Sequence, residues 1–153
     1  MNIITATIAA AVLAVSAPTA AMAKPAPTAA AQHAAQALDH EQTFGGVRVT
    51  FQFVSMKEHL KAKNVPIPAG MKETHHLKVD FLDAKTGKPF TEGEVKVKVQ
   101  GPDKAAQVKD LMGMNNRFCA DFDLSKNGKY GVMTKFQLKG GEVQTVKFWY
   151  NSK

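Results

Sequence analysis

One cysteine, Cys119, serves a chain of 153 residues. A single thiol excludes an intrachain disulfide. With no paired Cys or His spacing it also excludes the usual structural zinc sets, and the lack of a C-x-x-C-H run excludes covalent haem. Arginine is scarce, at Arg48 and Arg117 alone, so lysine carries the net charge of +7. Readers of nucleic-acid bases favour the bidentate guanidinium, so no nucleic-acid partner is expected. No histidine follows His76. A blue-copper carrier, which needs His and Met close after its Cys, is thereby excluded. There is no GxSxG, no HExxH and no Gly-rich phosphate loop before a helix. Nothing places a base beside Cys119, so no enzymatic activity is expected. Asp121 and Asp123 read as the solvated side of a strand.

Charged side chains are missing from the first 23 residues, MNIITATIAAAVLAVSAPTAAMA. The apolar run Ile3 to Val15 is shorter than the roughly 20 residues of a membrane span. It is followed by Ala21-Met22-Ala23, a small-x-small cleavage pattern. Residues 1–23 therefore read as a signal peptide, with an uncleaved anchor as the alternative. The expected location is periplasmic or otherwise exported, with no membrane insertion after cleavage. Residues 24–44 are rich in Ala, Pro and Gln and lack a core-forming period, which predicts a flexible tether. His33 and His40 fall in it, and no structural role is expected of them. The folded unit is assigned to 45–153. The chain is 44% hydrophobic, too apolar for disorder.

Alternation marks the strands. Val47, Val49, Phe51 and Phe53 share a face, as do Leu77, Val79 and Phe81, and Val95, Val97 and Val99. Phe118, Ala120, Phe122 and Leu124 form another set, and Tyr130 to Leu138 alternate cleanly. Near the end, Val146, Phe148 and Tyr150 oppose Val143 and Trp149. Residues 103–110 read as an edge strand or a helical turn. Turn signals (AKTGKP, QGPDK, SKNGK, KGGE) separate these segments. Ser55-Met56-Lys57-Glu58 is a capping-box pattern that predicts one helix, running to about Lys63 and ended by Pro66 and Pro68. The sum is an immunoglobulin-like antiparallel β-sandwich of about seven strands, with one short helix after the first. Gly128, two residues before Tyr130 at a strand start, predicts a tyrosine corner.

The order of HHLKVDFLDAKTGKPFTEGEVKVKV, a Met-containing link, ADFDLSKNGKYGV and a final FWY resembles the YtkA-like family of exported immunoglobulin-like domains, more loosely the FixH and CopC-like group. The resemblance covers roughly residues 45–150. It implies a β-sandwich at the bacterial envelope, often associated with copper or other metal handling.

The soft donors fit that implication. Thioether and thiolate sulfur select Cu(I), and imidazole suits both copper states. Met112-Gly113-Met114 lies just before Cys119, whose parity with Arg117, Asp121 and Asp123 turns it away from the apolar face. His75, His76 and Met71 form a second candidate group at a loop-to-strand junction. His75 and His76 can share a metal only if that point is still loop, because neighbours on a strand face opposite sides. Met56 and His59 share a helical face. Each of these has an alternative structural role: gap-filling methionines, a half-buried cysteine, an amphipathic helix. Two functions follow. One is a binding protein that carries or buffers copper for a metal-handling or envelope partner. The other is a metal-free interaction module of an envelope assembly, joined through strand edges and a lysine face.

Overall fold

The computed structural model describes residues 38–153. Among the described residues nine strands and one helix follow one another: β1 (His40–Phe44), β2 (Val47–Ser55), α1 (Met56–Ala62), β3 (His75–Asp83), β4 (Gly93–Gln100), β5 (Ala106–Asp110), β6 (Met112–Met114), β7 (Arg117–Phe122), β8 (Gly128–Leu138) and β9 (Val143–Ser152). They form a five-stranded sheet, β1-β2-β3-β7-β6, and a four-stranded sheet, β5-β4-β8-β9. Every pairing is antiparallel. The inward parities expected from the sequence are those buried between the sheets, from Val49, Phe51 and Leu77 through Val97 and Phe122 to Val132 and Val146. Trp149 and Val143 point outward. Residues 106–110 are an edge strand.

Two strands exceed the expected set. β1 lies within the stretch assigned to the tether, so the sheet begins before residue 45. Asp39 already takes part: its amide donates to the Phe51 carbonyl, and its carboxylate accepts from the Phe53 amide at 2.6 Å. His40 is not idle either, for its ring stacks on Phe148 at 4.4 Å. The turn that makes β1 possible is Gly45-Gly46, with φ of 48° and 84°. Two successive positive φ values are those of a type I′ hairpin, which glycine adopts without a Cβ clash. β6 and β7 are joined the same way through Asn115 and Asn116, at φ 51° and 63°. Asparagine is the residue after glycine that best tolerates this region.

The helix begins where expected, without the capping box, since Ser55 makes no side-chain cap. The Met56 amide instead donates to the Thr74 carbonyl at 2.8 Å. Because β2 runs straight into the helix, the neighbouring chain satisfies the first of the amides that have no partner within the helix. The tyrosine corner is present: Tyr130 is buried and its hydroxyl donates to the Lys126 carbonyl at 2.9 Å. Tyr130→Phe leaves that carbonyl short of a partner. We expect a loss of about 1 kcal/mol in unfolding free energy, read from the urea midpoint at unchanged m-value.

Candidate metal-binding cleft

The outer face of the five-stranded sheet gathers the soft donors. Strand register sets the arrangement. Lys78 on β3 lies opposite Cys119 on β7, which lies opposite Met112 on β6. One row along, His76 lies opposite Asp121, and on the other side Arg117 lies opposite Met114. Directly opposed residues hold their Cβ atoms roughly 4.5–5.5 Å apart, and diagonal ones such as Cys119 and His76 remain within side-chain reach. α1 lies over β2 and β3. It buries Met56 and lays the His59 ring on His76, 3.9 Å between centroids and 19° from parallel. A surface cleft of about 350 Å³ results, lined among others by His59, His76, Met114 and Cys119.

His76 donates from Nδ1 to Asp121 Oδ1 at 2.6 Å. An ionised carboxylate only accepts, so Nδ1 is the donor of this pair; in the neutral imidazole Nε2 is then the nitrogen that can take a metal. A carboxylate behind a histidine is the usual support of a metal-binding imidazole. Cys119 is buried, and burial pushes its thiol pKa up; Arg117 and Lys78 pull it back in part. A metal that takes this sulfur must therefore displace a proton. Arg117 is itself tied to Asp80, Nε to Oδ1 at 3.1 Å. Lys63, Lys78 and Arg117 also line the cleft. Such a cationic rim disfavours a divalent ion and tolerates a monovalent one neutralised by a thiolate.

His59 is held neutral. Burial, then the neighbouring His76, Lys63 and Lys78, lowers its pKa to about 4. An unfolded histidine titrates near 6.5. Between those values the unfolded chain binds a proton that the folded chain refuses, so stability falls as the pH falls from about 6.5 toward 4. We expect the urea midpoint to be lower at pH 5 than at pH 7.5, and His59→Gln to flatten part of that drop. A residual slope of the same sign is expected from His75, whose pKa burial also lowers.

The two histidines do not act together. His75 and His76 are both within β3, so they face opposite sides. His75 turns inward toward Tyr150, and its Nδ1 is hydrogen-bonded with the Thr74 hydroxyl at 2.9 Å. Met71 is half-buried in the loop before β3 and does not line the cleft. Met112 and Met114 are not plugs at the sandwich end: they are 72% and 48% exposed. In the sequence His59 shows only as a helix partner of Met56, and Asp121 as the solvated side of a strand. The 45-residue separation of Asp121 from His76 carries no local signal. Among the described residues no three His, Cys, Asp or Glu side chains converge as a metal site. Of the thioethers, Met114 lines the cleft and Met112 does not.

Fold and cleft together define an antiparallel β-sandwich with a soft-donor cleft on the outer face of one sheet. Among solved structures with this fold is a DUF4426 family protein from Pseudomonas aeruginosa PAO1, 17% identical, with a TM-score of 0.56 over 74% of this chain and 96% of that one. A copper-bound variant of FetP from uropathogenic Escherichia coli is 12% identical, with a TM-score of 0.57 over 74% of this chain and 94% of that one. A copper-bound variant of Campylobacter jejuni P19 is 13% identical, with a TM-score of 0.53 over 75% of this chain and 95% of that one. The likeness is one of fold. No family model and no curated protein matches the chain. No helix among the described residues is long and apolar enough to cross a membrane.

Proposed function

We propose that this is an exported, non-enzymatic carrier or buffer of Cu(I). The observation that carries the reading is the shared face: Cys119 flanked by Met112, with Met114 and the Asp121-supported His76 beside it. Cys119 supplies the anionic sulfur, Met112 or Met114 a thioether, and His76 an imidazole nitrogen. His59, stacked on His76, covers that side of the site. This set is soft and mixed, which suits Cu(I) above the harder divalent ions. Two solved structures of the same fold are copper-bound. The exposed methionines provide the exchange step: a weak thioether leaves first and opens the ion to an incoming ligand.

The test is an anaerobic Cu(I) competition titration of residues 24–153 against a coloured chelator. One equivalent should bind, and a Met112→Leu, Met114→Leu double variant should bind more weakly at unchanged fold. Absence of competition by the unaltered chain would overturn the reading.

A further inference from the structure

The other sheet presents a second surface, independent of the copper reading. Its outer face carries Lys96 and Lys98 from β4, Lys129 and Lys135 from β8, and Lys147 from β9. Trp149, 65% exposed, sits on β9 opposite Gly131. A Cβ on Gly131 would come within 3.1 Å of the indole, so the ring lies over a position that has no side chain. Met133 and Val108 are exposed on the same face, with Lys98 opposite both. The row Gln100–Gly131–Trp149 and the row Lys98–Met133–Lys147 contain no carboxylate. Lys129 lies over the Trp149 ring at 5.0 Å. The acids of this face, Glu94 and Asp110, stand away from these rows, and Asp110 is paired with Lys96 at 3.2 Å.

We propose that this face docks peripherally on an anionic phospholipid bilayer. Trp149 and Met133 would sit at the headgroup level, with Lys98, Lys129, Lys135 and Lys147 among the phosphates. Charge complementarity argues for an anionic occupant. The residue types argue for lipid over an acidic protein. Protein interfaces are depleted in lysine and favour arginine, whereas lysine serves as a point charge toward phosphate. Tryptophan is enriched where membrane meets water, and clustered lysines contribute about 1 kcal/mol each near an anionic surface. The apolar side chains alternate with lysines and do not merge into one dry patch, as a protein hot spot would require.

Trp149 is the chain's single tryptophan, so its emission reports this face alone. All described strands lie within residues 24–153, and that chain is mixed with phosphatidylcholine vesicles with and without phosphatidylglycerol. The expected result is a blue shift with the anionic vesicles only, reversed by 0.5 M NaCl (a screening length of roughly 4 Å). A Lys98→Gln, Lys129→Gln, Lys147→Gln variant should bind roughly 100-fold more weakly in co-sedimentation. These positions are on the outer face, and far-ultraviolet dichroism checks that the fold is kept. No shift with anionic vesicles overturns the proposal, as does binding that the triple variant leaves intact. A shift given equally by soluble poly-glutamate assigns the face to an acidic polypeptide and overturns it too.

Discussion

Phe81→Ala is expected to remove about 3–5 kcal/mol of stability. Phe81 is fully buried on β3 and meets both sheets. Its ring stands edge-on to Phe118 at 5.4 Å within its own sheet, and tilts against Phe136 of the facing sheet at 4.6 Å. Truncation therefore opens a void between two sheets whose strands are held by their own hydrogen bonds and cannot collapse into it. The lost transfer energy and the cavity add. Small domains have only about 5–15 kcal/mol to lose. The melting temperature should fall by roughly 10–25 °C, on the scaling for a domain of this size. A cost below about 1 kcal/mol in urea unfolding would mean that the sheets do not close on Phe81.

Cys119→Ser is expected to abolish tight Cu(I) binding while leaving the sandwich folded. Outer-shell changes alone cost about 10–100-fold in metal affinity, and Asp121→Asn should fall in that range. Losing the thiolate should cost more, because serine offers a hard oxygen that stays protonated. Burial holds the thiol pKa up, so binding must release a proton and strengthen with pH. The serine variant should lose that dependence together with the affinity. Retention of wild-type affinity would remove Cys119 from the site and leave the methionines and His76 to account for any copper.

What could be read in advance follows the physics of each element. Core strands such as Val47–Phe53 and Tyr130–Leu138 alternate strictly, because one face must be dry and the other wet. Tyr130 was legible because its corner is a local sequence feature. β1 escaped because HEQTF has no apolar alternation; its edge position buries little, and its clue was the Gly45-Gly46 turn. β6 escaped for its length, and its clue was Asn115-Asn116. The cleft was legible in part. The parity of Cys119 and its nearness to Met112 and Met114 are local. The meeting of His76 with Asp121 and His59 depends on strand register and helix placement, which no short window encodes. The capping box shows the converse case: Ser55 and Glu58 have the right spacing, but Ser55 makes no side-chain cap.

The shortness of β6 bears on how a bound ion would leave. Three residues paired to β7 alone form an edge with few hydrogen bonds to break and no buried side chain of its own. At one end stands the tight Asn-Asn turn. At the other, buried Leu111 anchors the chain through an amide that donates to the Val95 carbonyl at 2.7 Å. Such a segment opens by local fraying at a small fraction of the free energy of global unfolding. Both methionines would then swing out together on a fixed pivot while Cys119 and His76 stay on their central strands. Release would thus be gated by the edge of the sheet, with the core left undisturbed.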